Sequence, residues 1–372
     1  MITRIAIHNF RTLENFEIKL TELNLFMGAN GSGKTSVFDA LRLLQRFLKG
    51  GCNIGDVFIK RIDFTRWLCE PELRIELDMS LPEGEFTYSI CMEHKDWEEE
   101  ARVREECLKL DGRMLYSRKF QQVELFNDNY NAGPTYASDW RLSVLNTFPE
   151  RDDNRKTIAF RRQIERLLVV GFDPFVMESD SRKEDKALDF DSANFTSWYR
   201  KIMGSNLDKL SVVFNALKNG PMPNFHSYSF HDSGVDVKTF YAHFLKPGKP
   251  DETHMIHFAM LSSGQKILLI LYILLFGVKN REACLFLDEP DNFVTLREIQ
   301  PWLVELREAQ GGAFRQMTLI SHHPHVIDEV GVSGAQLFFR ENGGKTRLKD
   351  YRPLLEDSPL ALSEHVARGN LE

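Results

Sequence analysis

The stretch GANGSGKT, residues 28–35, constrains this chain more than any other part of its sequence. It follows the short apolar run Asn24–Met27 and precedes Ser36–Leu48, where apolar residues recur with helical spacing. A Gly-rich loop of the form GxxxxGK[ST] between a strand and a helix lets backbone N–H groups converge on phosphate oxygens, and the helix N-terminus adds positive charge. We therefore predict a site for the phosphates of a nucleotide.

The loop residues have distinct predicted roles. Lys34 faces the β- and γ-phosphates of ATP, and Thr35 supplies a hydroxyl to Mg²⁺. The other residues predicted to bind phosphate there are Asn30, Gly31, Ser32, Gly33 and Ser36. ATP and Mg²⁺ are thus the predicted cofactors.

An unbroken apolar run, Cys284–Leu287, predicts a parallel strand that is buried on both faces. Asp288 at its end is a candidate Mg²⁺ ligand, and Glu289 is a candidate base that polarises the attacking water. Two acidic residues that cap a loop before Pro290 are the simpler alternative. The phosphate loop upstream favours the catalytic interpretation.

A further predicted strand, Met317–Ile320, leads into a histidine-rich segment, residues 321–325. A histidine at the carboxyl end of a strand beside the nucleotide can contact the γ-phosphate and hold the water in line. We predict His322 in that role, with His323 as the rival. A surface cluster or a metal site of three imidazoles is the alternative, and adjacent side chains that point apart disfavour the metal site.

The segment LSSGQ, residues 261–265, precedes an apolar run at Ile267–Phe276 that is typical of a buried helix. A serine and backbone N–H groups at a helix start suit a phosphate that arrives from outside. An ordinary N-cap beside a flexible glycine gives the same pattern. The residues predicted to contact nucleotide are Ser262, Ser263, Gly264 and Gln265.

LSSGQ resembles the LSGGQ signature of ATP-binding-cassette (ABC) ATPases, with Ser263 where glycine is usual. The segments Ile5–Arg11, Leu287–Asn292 and Ile320–Pro324 are similar to those of cytosolic bacterial ATPases related to the overcoming-lysogenisation-defect proteins, the RecF-like repair ATPases and the chromosome-maintenance ATPases. The resemblance covers residues 1–48 and about 258–340.

This resemblance implies an α/β fold, a P-loop NTPase of the ABC-ATPase head type with a mixed sheet core. It also implies that ATP is sandwiched between two heads of a homodimer and that Arg11 lies near the phosphates. Two departures stand out. Asn292–Thr295 replace the Ser-Ala-Leu-Asp of transporter cassettes, and only Gln121 and Gln122, in an unassigned region, are candidates for the loop that senses Mg²⁺.

The chain between the phosphate loop and the signature is much longer than a compact cassette needs. We predict an ATPase core at 1–50 and 254–345, lobe strands plus a mainly helical insertion at 51–253, and a C-terminal extension at 346–372. Predicted strands at 73–79 and 86–92 flank a turn at 82–85, and the predicted helices are Trp97–Leu108, Asp153–Val169 and Asn194–Leu217.

The segment Arg151–Arg166 is rich in basic residues and could contact a phosphate backbone or an acidic partner. A solvated helix face is the favoured interpretation. The net charge of −7 argues against extensive nucleic-acid binding. Five cysteines without metal-ligand spacing indicate reduced thiols in a cytoplasmic protein, and no membrane segment is expected.

Three functions fit these features. The first is an ATP hydrolase that gates a separate effector, because proteins of the resembling families often serve in antiviral defence with a nuclease or toxin on another chain. The second is a DNA-repair or recombination ATPase that binds DNA directly. The third, a transporter subunit, is disfavoured by the long insertion and by the residues after Glu289.

Overall fold

The computed structural model describes residues 1–94, 101–205, 207–278, 280–308, 314–351 and 360–368. The chain divides into two compact units. The first comprises Met1–Leu167, Glu282–Cys284 and Ser333–Glu372, and the second comprises Leu168–Arg281 and Leu285–Val332. No helix in the described ranges is long and apolar enough to cross a membrane.

The strands in chain order are β1 (Ile2–His8), β2 (Phe16–Lys19), β3 (Leu23–Met27), β4 (Glu72–Leu81), β5 (Gly84–His94), β6 (Ala101–Leu110), β7 (Arg113–Lys119), β8 (Gln122–Phe126), β9 (Ala132–Ala137), β10 (Leu167–Val170), β11 (Asp180–Ser181), β12 (Phe225–Gly234), β13 (Val237–Lys246), β14 (Lys249–His257), β15 (Asn280–Asp288), β16 (Phe314–Ile320), β17 (Ala335–Arg340) and β18 (Thr346–Lys349).

The helices are α1 (Lys34–Lys49), α2 (Ile54–Val57), α3 (Lys60–Asp63), α4 (Arg155–Glu165), α5 (Phe195–Ser205), α6 (Leu207–Asn219), α7 (Ser263–Tyr272), α8 (Leu296–Glu308), α9 (Pro324–Gly334) and α10 (Leu362–Ala367). A π-helical segment, Ile273–Val278, continues α7.

The first unit contains an antiparallel eight-stranded sheet in the order β2-β1-β4-β5-β6-β7-β8-β9. Ile5 at its core pairs with Ile18 on one side and with Leu77 on the other. Strand β4 alternates buried and less buried residues, as expected for a sheet with one face in the core. The predicted strands at 73–79 and 86–92 are confirmed as β4 and β5, which meet at a tight turn.

The predicted helix Trp97–Leu108 is wrong, because the described part of that segment belongs to strand β6; its start lies outside the described residues. The segment is rich in charges, but buried residues alternate with less buried ones along it, apart from an irregularity at Arg104 and Glu105. Glu106 takes one buried position and accepts hydrogen bonds from Tyr88 (3.2 Å), Tyr116 (3.1 Å) and Ser143 (2.7 Å). A buried carboxylate with these partners replaces the apolar residue that the pattern lacks.

Helices α1 and α4 also belong to the first unit. The ring of Phe160 on α4 stacks 5.4 Å from that of Tyr88 in the eight-stranded sheet. Gln45 on α1 donates to the carbonyls of Ile164 (2.8 Å) and Leu167 (2.6 Å). The helix predicted to reach Val169 ends at Glu165, and the chain then enters β10.

A second group of strands in the first unit has the order β3-β17-β18, with β3 parallel to β17 and β17 antiparallel to β18. The ring of Phe26 lies 4.7 Å from that of Phe338 and 5.7 Å from that of Phe38 on α1. Strand β18 lies within the predicted C-terminal extension, so these residues belong to the sheet that leads into the phosphate loop.

In the second unit, β13 pairs with β12 on one side and with β11 and β14 on the other. An aromatic cluster covers one face of this small sheet, with the rings of Phe195, Tyr199 and Phe240 in mutual contact. The predicted helix Asn194–Leu217 is observed as two helices, α5 and α6. The predicted insertion is therefore not mainly helical, because after β9 it contains strands as well as helices. The strands form there because alternating aromatic residues supply the core of the small sheet.

Strands β10, β15 and β16 are neighbours in that order. The apolar residues of α7 are buried on all of its sides, as expected for a helix without a polar face. Its predicted extension to Phe276 is π-helical, and Trp302 donates from Nε1 to the carbonyl of Leu271 at 3.2 Å. This hydrogen bond fixes α8 against the end of α7.

Candidate functional site

The phosphate loop connects the buried strand β3 to the start of α1 in the first unit. Gly33, the N-cap residue of α1, has φ = 105°, and no side chain caps the helix. The first turn of α1 contains no acidic residue. The N–H groups at the start of this 16-residue helix are therefore available to an anion.

Gly28 allows the loop to lie close to β17. A Cβ atom added there would lie 2.1 Å from the carbonyl oxygen of Phe338, and its φ of 138° is one that other residues rarely adopt. A Cβ on Gly33 would lie 2.2 Å from the hydroxyl of Thr346. Both positions therefore require glycine.

The loop side chains fit a bound phosphate. Lys34 donates from Nζ to the carbonyls of Gly28 (2.8 Å) and Ala29 (3.0 Å), so its ammonium group lies over the loop. The hydroxyl of Ser32 is buried and has no hydrogen-bond partner, whereas Thr35 is exposed. A buried hydroxyl without a partner beside a lysine and an uncapped helix suits an anionic ligand.

Three residues that the sequence did not indicate hold the loop in place. Thr346 donates to the carbonyl of Ser32 at 2.8 Å and shares a 2.8 Å hydrogen bond with the hydroxyl of Thr12. Arg340 donates from Nη1 to the carbonyl of Gly31 at 3.0 Å. They come from distant parts of the chain, so no local pattern could reveal them.

Arg11 lies against the helix that starts at the phosphate loop. Its guanidinium group forms ion pairs with Asp39 of α1 and, at 3.5 Å, with Asp63. Its φ of 49° lies in the left-handed region, which is unusual for a residue other than glycine. Arg11 is thus fixed near the phosphate loop through α1, although two carboxylates already neutralise it.

The acidic pair lies in the second unit at the end of β15. This strand ends at Asp288, and Glu289 has φ = 50°. The backbone N–H of Glu289 donates to the carbonyl of Ile320 at 3.0 Å, which joins the acidic loop to the end of β16. The left-handed turn at Glu289 redirects the chain directly after the strand, as is common at functional sites.

The structure brings Glu289 and His322 together. Nε2 of His322 lies 3.7 Å from a carboxylate oxygen of Glu289. The side-chain amide of Asn292 donates to the other carboxylate oxygen, a contact that the sequence did not indicate. Of the two adjacent histidines, His322 is therefore the one beside the predicted base.

His323 has a different environment. Its Nδ1 accepts a hydrogen bond from the backbone N–H of His325 at 3.3 Å. Burial raises the pKa of Asp291, while the hydroxyl of Ser321 and the nearby His323 lower it. Within the described ranges, no group of three or more histidine, cysteine, aspartate or glutamate residues is arranged to hold a metal ion.

The signature residues form the start of α7. Ser262 accepts a hydrogen bond from the N–H of Gln265 (3.2 Å), and the Gln265 side chain accepts one from the N–H of Ser262 (3.0 Å). This is a complete capping box. The ordinary N-cap role is thus present, and the Ser262 hydroxyl still retains a proton to donate.

Two further predicted residues, Ser263 and Gly264, belong to the first turn of α7. Ser263 is partly exposed, and Gly264 is buried where a Cβ atom would lie 2.7 Å from the carbonyl oxygen of Phe293. The start of the signature helix therefore contacts the loop that follows Glu289. Gln121 lies at the turn between β7 and β8 of the first unit, and Gln122 is the first residue of β8.

The chain is similar to known proteins in part of its sequence and in its fold. Residues 1–131 match the family model of an AAA ATPase domain. The structure is similar to the SmcHead that was solved bound to the C-winged helix domain of ScpA, with a TM-score of 0.55, 13% identity, and 95% of this chain and 99% of that chain covered. An SMC head domain from Thermotoga maritima matches with a TM-score of 0.46, 12% identity, and 94% and 99% covered. No curated protein sequence matches the chain.

The predicted fold class, an α/β P-loop NTPase of the ABC-ATPase head type, is confirmed. The resemblance to ABC-type and SMC-like ATPases is confirmed for the fold of the chain and, within residues 1–131, by the match to an AAA ATPase domain. The relation to the overcoming-lysogenisation-defect proteins and the roles of the individual site residues stay predictions.

Proposed function

We propose that this chain, which has the fold of an ABC-type ATPase head, is an ATP-hydrolysing switch that closes as a two-fold homodimer and controls a separate effector. One observation carries the proposal. The chain contains two helix starts suited to phosphate, an uncapped one at Lys34 in the phosphate loop and a capped one at Ser262 in the signature. In ABC-type heads these two elements meet across two chains, around ATP.

The site residues have the following proposed roles. Lys34 and the N–H groups of the loop bind the phosphates of ATP, and Thr35 and Asp288 hold Mg²⁺. ATP with Mg²⁺ supplies a phosphoanhydride bond whose hydrolysis reopens the dimer. Glu289 accepts a proton from the attacking water, and His322, 3.7 Å from Glu289, helps to hold that water.

The nature of the effector and its biological setting are proposed from the resemblance to the bacterial ATPases named above. The effector is a nuclease or toxin on another chain, and the setting is antiviral defence in the bacterial cytoplasm. The proposed division has an ATPase core at 1–50 and 254–345, with the effector or sensor contact in 51–253. Because both ends of that segment adjoin predicted ATP-contacting elements, ATP-driven closure would alter what the segment binds.

Direct DNA binding is the weaker candidate. In the basic segment Arg151–Arg166, ion pairs join Arg151 to Asp153 (2.9 Å) and Arg162 to Glu150 (2.5 Å). Further pairs in the segment are Arg155–Asp152 and Arg166–Glu282. Arginines that are already matched with carboxylates offer little net positive charge to a phosphate backbone, and the net charge of −7 points the same way.

Complementation between two inactive variants tests the composite site. Lys34→Ala removes the cation that faces the phosphates, and Ser262→Arg blocks the signature. Each variant alone should lack ATPase activity. A 1:1 mixture should recover about a quarter of wild-type activity, because half of the randomly formed dimers are mixed and each has one intact site.

A second mixture serves as the control. Lys34→Ala mixed with Gly33→Val should stay inactive, because both chains then carry a defective phosphate loop. Native mass spectrometry measures the fraction of mixed dimers. If Lys34→Ala and Ser262→Arg chains form mixed dimers with ATP but recover no activity, the composite-site proposal is wrong.

A further inference from the structure

The four residues from Glu289 to Asn292 form a tight turn directly after β15. The backbone N–H of Asn292 donates to the carbonyl of Glu289 at 3.1 Å, and Pro290, whose ring fixes its φ, is the second residue of the turn. A further turn follows at once, because the N–H of Val294 donates to the carbonyl of Asp291 at 3.2 Å. The backbone that carries Glu289 and Asn292 is therefore fixed by its own hydrogen bonds.

The turn brings the side chain of Asn292 onto that of Glu289. The Asn292 amide donates from Nδ2 to Oε2 of Glu289, and Oε1 of the same carboxylate lies 3.7 Å from Nε2 of His322. The amide nitrogen of asparagine only donates hydrogen bonds, and an ionised carboxylate only accepts them. Asn292 thus occupies one carboxylate oxygen of Glu289 and leaves the other oxygen on the side of His322.

The gap between Glu289 and His322 suits one water molecule. A separation of 3.7 Å is too long for a direct hydrogen bond, whereas a water within hydrogen-bond reach of both atoms bridges it. The last side-chain torsion of a glutamate has only broad preferences, so the carboxylate of Glu289 can rotate unless a partner holds it. Asn292 supplies that partner on the oxygen that faces away from the gap.

A contact from the same turn holds His322 at this distance. The hydroxyl of Ser321 donates to the carboxylate of Asp291 and accepts the backbone N–H of His323 at 3.0 Å. Ser321 is fully buried, so water does not compete for these hydrogen bonds. The residues on either side of His322 are therefore tied together and to the turn, which keeps His322 opposite the carboxylate that Asn292 orients.

We propose that Asn292 is a positioning residue for ATP hydrolysis, whose amide holds the carboxylate of Glu289 so that Oε1 faces His322 and the attacking water. The inference rests on the proposed function, in which Glu289 accepts a proton from that water. It deepens that function by giving a role to a residue outside the predicted contacts to phosphate and Mg²⁺. A residue that fixes the geometry of the base raises kcat and contributes little to the binding of ATP.

The test measures steady-state ATP hydrolysis by the full chain and the binding of a non-hydrolysable ATP analogue. Asn292→Ala removes the amide from an exposed position, so the thermal unfolding midpoint should not change. We expect kcat to fall at least about tenfold, while KM and the affinity for the analogue stay within about twofold. Asn292→Asp keeps the shape but replaces the donor by a second carboxylate, so kcat should fall at least as far.

A double-mutant cycle separates positioning of the base from a general effect on the turn. Without the carboxylate of Glu289, the amide of Asn292 has no base to orient. Adding Asn292→Ala to Glu289→Gln should therefore change the residual rate by less than about twofold, measured with radiolabelled ATP in a single turnover. A change that merely disturbed the turn would slow both backgrounds by the same factor.

Asn194 offers a matched control. Its amide also donates to a carboxylate in the second unit, that of Asp185 at 3.3 Å, and Asn194→Ala should leave kcat within about twofold of the wild type. If Asn292→Ala keeps or raises the wild-type kcat, or slows hydrolysis by equal factors with and without Glu289, the inference is overturned while the proposed function stands. If the wild type hydrolyses no ATP, or Glu289→Gln hydrolyses it at the wild-type rate, the proposed role of Glu289 is overturned too.

Discussion

Removing the hydroxyl of Thr346 should loosen the phosphate loop without touching a residue predicted to contact nucleotide. Thr346 is buried, donates to the carbonyl of Ser32 and shares a hydrogen bond with Thr12, both at 2.8 Å. Thr346→Val replaces the hydroxyl by a methyl group of similar shape, so the change removes hydrogen bonds and opens almost no cavity.

The size of the effect follows from what is left unpaired. The hydrogen bond from Thr346 to the Ser32 carbonyl is buried, and a buried acceptor left without its donor costs roughly 1–3 kcal/mol. Thr12 is only half-buried and can turn to water, so its contribution is smaller. We expect the free energy of unfolding to fall by about 1–3 kcal/mol. ATP affinity should fall about tenfold, because binding must then restore the loop conformation, at a cost of roughly 1.4 kcal/mol.

Urea unfolding of the nucleotide-free protein and calorimetric titration with a non-hydrolysable ATP analogue measure the two effects. Thr239→Val is the matched control, since Thr239 is also buried and donates to Asp180 at 2.5 Å, in the small sheet of the second unit. It should lower stability by less, because Asp180 is exposed and its carboxylate can turn to water, and it should leave nucleotide affinity unchanged. If Thr346→Val loses no more nucleotide affinity than Thr239→Val does, the hydroxyl does not organise the phosphate loop.

Two further predictions address catalysis and pH. Glu289→Gln should slow ATP hydrolysis about a hundredfold or more while ATP stays bound, seen as nucleotide that co-elutes with the protein; hydrolysis at the wild-type rate would remove Glu289 from the role of base. Burial, followed by the nearby His231 and His226, lowers the pKa of His243 below its ordinary 6.5. The imidazole of His243 therefore binds a proton more tightly in the unfolded chain than in the folded one. The free energy of unfolding is highest above pH 6.5, where His243 is neutral in both states, and it falls as the pH drops through the lowered pKa. His243→Gln should lose less thermal stability than the wild type between pH 7.5 and about pH 5; equal losses would show that His243 does not contribute.

Motifs whose chemistry is local could be predicted from the sequence. The phosphate loop depends on glycines and a lysine within residues 28–35, and the glycines at 28 and 33 occupy positions where a Cβ atom would clash. The capping box of Ser262 and Gln265 likewise depends on two residues three positions apart. Backbone conformation and first-turn contacts are decided by near neighbours, so they remain readable in the sequence.

Segments rich in charge were predicted less well. The described part of Trp97–Leu108 is a strand because Glu106 fills a core position with partners from β5, β7 and the segment at Ser143. A carboxylate can occupy such a position only when distant donors satisfy it, and the sequence does not indicate where those donors lie.

The sequence by itself determined the ATPase fold class and the positions of its phosphate, acidic and signature motifs. It left two adjacent histidines, His322 and His323, as alternatives for the contact to the γ-phosphate. Only the tertiary structure set His322 beside Glu289, joined Thr346 and Thr12 to the phosphate loop, and exposed Phe175 next to Phe293. The physical reason is range. Helix starts, strands and Gly-rich loops follow from interactions within a few residues, whereas these contacts exist only after folding has brought distant segments of the chain together.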